Sequence, residues 1–333
     1  MRRRALMVSA ALLGVGRAAA QPERSARIGV LMPYAASDAV VQARVEAFRL
    51  ALVPSARASG RSVSFEERWV GDNLDSLRAA AADLVARGVE AIVTTGSRVV
   101  PIVQRATTSI PIVFVGISDP VGQGLVGSLA RPGGNTTGFS LLEITDGASP
   151  LISKLLEILS ELVPDLNRVQ MMFNADNPAG AFHQRTFTAT ALTLRLQPSL
   201  APVRDTPQIE AAIRRFAAGL AGAQGAMLLP SDLTLLSHRA LIVAAMARHH
   251  IPAIFSDSSF VEIGGLASYS ADRTEMFRRS ADYVLRILKG ERPGELPVQQ
   301  PTTYSLAVNL RTARALGLHV PAAVLARADD VFE

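Results

Sequence analysis

Polar side chains follow directly after several short apolar runs of this sequence, in both halves of the chain. The residues in question are Gly96-Ser97, Ser118-Asp119, Asn174, Asp232 and Asp257. In open α/β sheets, ligands bind outside the carboxyl ends of the strands, where the N-termini of the following helices also present backbone N–H groups to an anion. Each of these residues taken singly is also a typical helix cap. The set as a whole predicts a polar ligand-binding cleft.

The chemistry of these side chains suggests a division of roles. Ser97 and Ser118 lie at turns whose backbone N–H groups suit a carboxylate. Asp232 and Asp257 suit an ammonium group or several hydroxyls. One ligand that carries both kinds of group, such as an amino acid, would then join the two sets. The alternative is that the two aspartates only cap helices and face away from the ligand.

Motifs that would indicate catalysis are missing or stand in the wrong context. Residues Gly122 to Gly127 match the dinucleotide pattern GxGxxG. These glycines begin several residues after the preceding strand, and Pro132 would interrupt the crossover helix soon afterwards, so we interpret the segment as a turn. The sequence has no Walker A, HExxH or GxSxG motif, no cysteine, and 5 scattered histidines. We therefore predict that the protein is not an enzyme and holds no cofactor or metal ion.

Apolar runs typical of strands alternate with segments of helical periodicity along the chain. One series begins at Arg27, and a second begins near Pro150, after the turn-rich segment from Arg131 to Asn135. This alternation predicts parallel sheets covered on both faces, as two doubly wound α/β lobes joined by a hinge. We expect lobe 1 at 24–145 together with about 271–296, and lobe 2 at 146–270. A C-terminal tail at 297–333 is expected to return across the hinge, and the sequence does not indicate which lobe holds it.

The first twenty residues have the features of an export signal. A basic start at Arg2 to Arg4 precedes an apolar run from Ala5 to Gly16, and Ala18-Ala19-Ala20 gives the pattern of a cleavage site. The apolar run is too short to span a bilayer. We predict cleavage after Ala20, by the Sec or the twin-arginine route, and a periplasmic location. Without a cysteine, the mature chain is expected to carry no lipoprotein anchor and no disulfide.

The charge of the mature chain argues against a nucleic-acid partner. The full sequence has 34 basic and 29 acidic residues. Arg2, Arg3, Arg4 and Arg17 leave with the signal, so 34 minus four gives 30 basic residues against the same 29 acidic ones. No basic run remains, and the two signs are interspersed. Since the chain also lacks heptads and long apolar edge segments, we expect a monomer.

Several long segments resemble one protein family. Residues Ser118 to Gly138 read SDPVGQGLVGSLARPGGNTTG, which is highly specific. Together with Ala91 to Leu142, the segments Leu229 to Ile242, Ile251 to Ser270 and Ala281 to Leu318 extend the resemblance over nearly the whole mature chain. They are similar to the ABC transporter substrate-binding protein family related to tryptophan- and tyrosine-binding components.

This resemblance implies a type I periplasmic-binding fold, in which two α/β lobes, crossed three times by the chain, hold a ligand between them. It also implies permease and ATPase partners that form an ABC importer with the protein. The pocket residues that it implies are Tyr34, Gly96, Ser97, Ser118, Asp119, Ser140, Asn174, Asp232, Asp257 and Tyr269.

The sequence therefore predicts an extracytoplasmic solute-binding protein whose lobes close on a small polar ligand, such as an amino acid or another carboxylate. Two alternatives stay open. A ligand-sensing protein for a signalling receptor would use the same pocket with a different partner surface. An exported α/β enzyme would need a catalytic constellation, which the sequence does not display.

Overall fold

All strands of the first sheet are parallel to their neighbours, as the alternation of strands and helices predicts. The structure is a computed structural model and describes residues 24–141, 150–220 and 222–333. The strands of this sheet are β1 (Arg24–Met32), β2 (Arg61–Trp69), β3 (Ala91–Thr94), β4 (Ile112–Ile117) and β5 (Thr136–Ser140). Their order is β2-β1-β3-β4-β5, so the chain winds outward in both directions from β1.

Helices cover both faces of the first sheet because successive strand residues point to opposite sides. The first three are α1 (Ala39–Ala58), α2 (Leu74–Ala86) and α3 (Val100–Ala106). Val30 and Met32 of β1 pack in the cluster that includes α1, whereas Leu31 packs with α2 and α3. Gly29 lets α2 come close, since a Cβ there would lie 3.3 Å from Leu84.

The second sheet has seven strands. They are β6 (Arg168–Asn174), β7 (Gln197–Val203), β8 (Gly225–Leu229), β9 (Ala253–Phe255), β10 (Ala267–Ser270), β11 (Ser305–Asn309) and β12 (Asp330–Phe332). Their order is β12-β11-β10-β9-β8-β6-β7, and the pair β10–β11 is antiparallel. The later helices are α4 (Pro150–Leu162), α5 (Gly180–Thr193), α6 (Thr206–Leu220), α7 (Leu233–Ser237), α8 (Arg239–Arg248), α9 (Ser259–Glu262), α10 (Arg273–Leu288), α11 (Leu310–Ala315) and α12 (Ala322–Leu325).

The chain passes three times between the two sheets: after β5, after β10, and before β11. Helix α10 packs against α1 and β4, so it belongs to the first sheet's side of the molecule. Gln299 joins β5, since its N–H donates to Gly138 at 2.9 Å and its carbonyl accepts from Ser140 at 2.7 Å. We call the first sheet with α1, α2, α3 and α10 lobe 1, and the second sheet with the other helices lobe 2.

Two predictions concern parts of the chain that the structure does not describe. The export signal at residues 1–20 lies outside the described residues, and so does the first predicted lobe boundary, between residues 145 and 146.

The α/β fold with two doubly wound lobes is confirmed. The segment from Gly122 to Gly127 forms turns rather than a crossover helix, as predicted.

Within residues 24–141, 150–220 and 222–333, no helix combines the length and the apolar character needed to cross a membrane.

Candidate functional site

A cleft lies where the carboxyl ends of strands from both lobes meet. Strands β3 and β4 of lobe 1 and strands β6 and β8 of lobe 2 end beside it. The cleft is partly open to solvent. Its lining residues are Tyr34, Thr95, Gly96, Ser97, Arg98, Gly116, Ser118, Asn174, Asn177, Ser231, Asp232, Leu233 and Arg273.

Six of the ten predicted site residues line this cleft. They are Tyr34, Gly96, Ser97, Ser118, Asn174 and Asp232. The first four come from lobe 1 and the last two from lobe 2. The strand-end rule brings them together because the ends of parallel strands share one edge of each sheet, and the two edges face each other. Their contact with a ligand stays a prediction.

Three other predicted residues lie away from the cleft lining, where each has a local role. Asp119 has a φ of +41° and accepts a hydrogen bond from the N–H of Gly122 at 2.8 Å, which holds the turn after β4. Ser140 is buried in β5, where its hydroxyl donates to a backbone carbonyl of β4. Tyr269 stacks its ring on that of Tyr304, with the ring centroids 5.5 Å apart.

Asp257 is buried behind the cleft between two arginines. Nη2 of Arg44 donates to both of its carboxylate oxygens at 3.0 Å, and Nε of Arg273 lies 3.1 Å from Oδ2. Burial alone raises the pKa of the Asp257 carboxyl, but the charges of Arg44 and Arg273 outweigh it and lower this pKa to about 2. Since both arginines belong to lobe 1 and Asp257 follows β9 in lobe 2, this cluster joins the lobes. Its carboxylate is therefore already compensated by protein cations.

Arg273 links that buried cluster to the cleft. It stands in the first turn of α10, and its Nη2 donates to the hydroxyl of Ser231, which follows β8. Its Nη1 lies 3.4 Å from the position that a Cβ would take at Gly116, whose φ of +73° also favours glycine. The guanidinium thus spans the distance between the two lobes at the floor of the cleft.

Asp232 both caps a helix and lines the cleft. Its Oδ1 accepts from the backbone N–H groups of Thr234 at 2.8 Å and Leu235 at 3.2 Å, at the N-terminus of α7. Its Oδ2 accepts from Nδ2 of Asn177 at 2.6 Å. Burial raises the pKa of the Asp232 carboxyl above its usual value, and these three hydrogen bonds counteract only part of that shift. Asp232 therefore caps α7 without facing away from the cleft, and its contact with a ligand stays a prediction.

A second ion pair joins the lobes. Arg239 of α8 binds Asp38 in a bidentate arrangement, with N–O distances of 2.8 and 2.9 Å. Asp38 also caps α1 by accepting from Val40 and Val41. Burial raises the pKa of the Asp38 carboxyl, but the hydrogen bond from Arg239 and the capping bonds lower it overall. The carboxylate is therefore charged at neutral pH, and the pair stabilises contact between the lobes.

Five polar cleft residues were missed by the sequence analysis. Four of them stand within four residues of a strand end, so that counting every polar residue there would have found them: Thr95, Arg98, Asn177 and Ser231. Arg273 follows no predicted strand-end residue and reaches the cleft through the packing of α10 on lobe 1. Within the described part of the chain, no three acidic or histidine side chains cluster in a way that could hold a metal ion.

Comparison of the sequence with known families decides what kind of protein has this cleft. Residues 41–332 match the family described as ABC transporter substrate binding protein. The chain belongs to this family. The family is one of solute-binding proteins rather than catalysts, and its members bind small ligands outside the cytoplasm and work with the permease components of ABC transporters.

Two solved structures have the same fold as this chain. A conserved domain protein from Vibrio cholerae O1 biovar El Tor is 24% identical with a TM-score of 0.80, over 92% of this chain and 99% of that one. An ABC domain from Streptococcus pneumonia in complex with L-Trp is 24% identical with a TM-score of 0.79, over 92% of this chain and 100% of that one. The predicted type I periplasmic-binding fold is thereby confirmed.

A curated relative is the tyrosine-binding protein of Clostridioides difficile strain R20291. It is 25% identical over 214 residues, which are 64% of this chain. The match spans 59% of the length of that relative.

Proposed function

We propose that this chain is the extracytoplasmic solute-binding component of an ABC importer and that it binds a small polar ligand in the cleft between its lobes. The observation that carries this proposal is the cleft itself, which is lined by strand-end residues of both sheets. A ligand in contact with both lobes stabilises the arrangement in which both sets of contacts are made. Membrane partners can then recognise that arrangement.

The chemistry of the lining supports a ligand that carries a carboxylate. Ser97 and Ser118 lie on the lobe 1 side beside backbone N–H groups of turns, and Arg98 adds a cation there. Asn174 on the lobe 2 side belongs to an amide and hydroxyl network, since its Nδ2 donates to Thr234 Oγ1 at 2.6 Å. The names of two similar proteins state that one is in complex with L-Trp and that the other is tyrosine-binding. Tryptophan and tyrosine are both small molecules that carry a carboxylate.

The proposed cellular role adds location and partners. The mature chain would work in the periplasm as a monomer after loss of residues 1–20, and deliver its ligand to the permease and ATPase subunits of an importer. This role involves no chemical change of the ligand. It also needs no cofactor and no nucleic acid.

A capture experiment tests the proposal and identifies the ligand in the same step. The protein is unfolded and refolded to remove bound molecules, incubated with a metabolite extract of its source, and washed. Small molecules released by heat are then identified by mass spectrometry. We expect the wild-type chain to retain one compound or a small set of related compounds, and Ser97→Trp to retain none, because the indole fills the cleft.

The matched control is Ser109→Trp, which places the same ring on an exposed position of lobe 1. This variant should retain the same compound as the wild type, with unchanged thermal stability in both variants. Retention by Ser97→Trp at the wild-type level would place any bound compound elsewhere. Failure of the wild type to retain anything would contradict solute binding.

A further inference from the structure

The charges around the cleft do not balance. Three guanidinium groups stand in or directly behind the lining, those of Arg44, Arg98 and Arg273. Two carboxylates face them, those of Asp232 and Asp257. Glu262, whose charge also acts on Arg44, is exposed, so that solvent screens it. One positive charge is therefore left over, and it is that of the half-buried Arg98.

Both carboxylates already have protein partners. Asp257 holds Arg44 at both of its oxygens and Arg273 at Oδ2. Asp232 accepts three hydrogen bonds, two from backbone N–H groups of α7 and one from Asn177. An ammonium group in the cleft would have to share Asp232 with three donors already in place, and it would stand near an excess of positive charge.

Arg98 is the one of these three arginines that forms no ion pair with Asp232 or Asp257. It lines the cleft and is half-buried. Within residues 24–141, 150–220 and 222–333 its guanidinium forms no ion pair and no hydrogen bond, although its charge acts on Asp232 through space. A guanidinium in the cleft lining can present its N–H groups to a ligand, and a carboxylate fits it with two parallel hydrogen bonds.

The lining also offers little surface to an aromatic ring. Among the described lining residues, Tyr34 is the one aromatic side chain and Leu233 the one large aliphatic one. Tyr269 and Tyr304 are stacked on each other away from the lining. The remaining lining side chains are hydroxyls, amides and charged groups, which suit a compact polar molecule.

We propose, on the basis of the solute-binding function proposed above, that the cleft selects a compact aliphatic carboxylate with a net negative charge, such as a hydroxy acid or short dicarboxylate, over zwitterionic amino acids. Arg98 binds the carboxylate that carries the net charge. The hydroxyls of Ser97 and Ser118 and the amide of Asn174 bind its remaining oxygens.

A panel of probes with matched size and different charge tests this selection. The anions are succinate, L-malate and L-lactate; the zwitterions are L-alanine, L-serine, L-tryptophan and L-tyrosine; allitol is the neutral member. The refolded chain is heated with each compound, and every compound that raises Tm is titrated by calorimetry. We expect one or more anions to raise Tm and no zwitterion to do so.

Variants of two arginines test the assigned contact. Arg98→Gln should raise the Kd of the best anion at least about tenfold, as for the loss of one partner of a desolvated ion pair, and Arg98→Lys should restore part of the affinity. Arg105→Gln removes an exposed arginine at the end of α3 and should leave the Kd unchanged. An unchanged Kd in Arg98→Gln would refute the role of Arg98.

The outcomes separate this inference from the function on which it rests. A rise in Tm with a zwitterion or with allitol, equal to or larger than the rise with every anion, overturns the charge selection and leaves solute binding intact. No rise with any compound, together with an empty result in the metabolite capture, contradicts both.

Discussion

Asp257→Asn is expected to lower the free energy of unfolding by about 3–5 kcal/mol at pH 7, the cost of removing one partner from a buried ion pair. The substitution keeps an oxygen that can accept from the N–H of Ser259 but removes the charge that Arg44 and Arg273 share. Two guanidinium groups, each less than 10% exposed, are then left side by side without a counterion. Urea denaturation at pH 7 measures the loss.

A control and a double variant separate this effect from the loss of a helix cap. Asp205→Asn changes an exposed aspartate that accepts from the N–H of Gln208, and it should cost less than about 1 kcal/mol. Arg44→Met should cost less in the Asp257→Asn background than in the wild type, because there it also removes repulsion from Arg273. Additive effects of the two changes, or a loss below about 1 kcal/mol for Asp257→Asn, would show that the cluster is not coupled.

His183 is expected to make the fold weaken as the pH falls below about 6.5. It is buried in α5, and neither ring nitrogen has a hydrogen-bond partner among the described residues. Burial lowers the pKa of the His183 imidazole to about 4 from its usual value of 6.5. Above pH 6.5 the ring is neutral in both the folded and unfolded chains. Between 6.5 and 4 the unfolded chain takes up a proton that the folded chain excludes, which costs about 2 kcal/mol at pH 5 and about 3 kcal/mol at pH 4.

Denaturation across this pH window with matched variants isolates that contribution from those of the carboxylates. His183→Leu should be at least as stable as the wild type at low pH, and its stability should vary less with pH by the amounts given above. His319→Gln removes an exposed histidine and should keep the wild-type pH dependence. A His183→Leu chain with the same pH dependence as the wild type would show that the imidazole takes up its proton in the fold without penalty.

Local sequence rules predicted the fold and about half of the cleft because both depend on short-range patterns. Ser97, Ser118 and Asp232 lie within three residues of a strand end, so the position of the strand fixes their edge of the sheet. The same rule included Asp119, whose carboxylate instead accepts a hydrogen bond from the backbone N–H of Gly122 within the turn after β4. A side chain at a strand end can face the ligand or the local turn, and the sequence alone does not distinguish these orientations.

The ion clusters between the lobes could not be predicted, since their members are far apart in the sequence. Arg44 and Asp257 are separated by 213 positions, and Asp38 and Arg239 by 201. Arg44 stands on α1 and Arg239 on α8, and the sequence pattern of neither helix indicates a contact with the other lobe. The hypothesis that Asp257 meets a ligand's ammonium group ignored these partners, and the structure places two protein cations there instead. The charge of the cleft, and with it the class of ligand, depends on such long-range pairs.

Solution scattering of the mature chain, with and without the compound retained in the capture experiment, tests the central claim most directly. A ligand that contacts both lobes shifts the population towards the arrangement in which they meet around it. We predict a smaller radius of gyration at saturating ligand for the wild type and for Ser109→Trp, and no change for Ser97→Trp. A radius of gyration that stays the same in the wild type, while calorimetry shows the ligand fully bound, would contradict binding between the lobes.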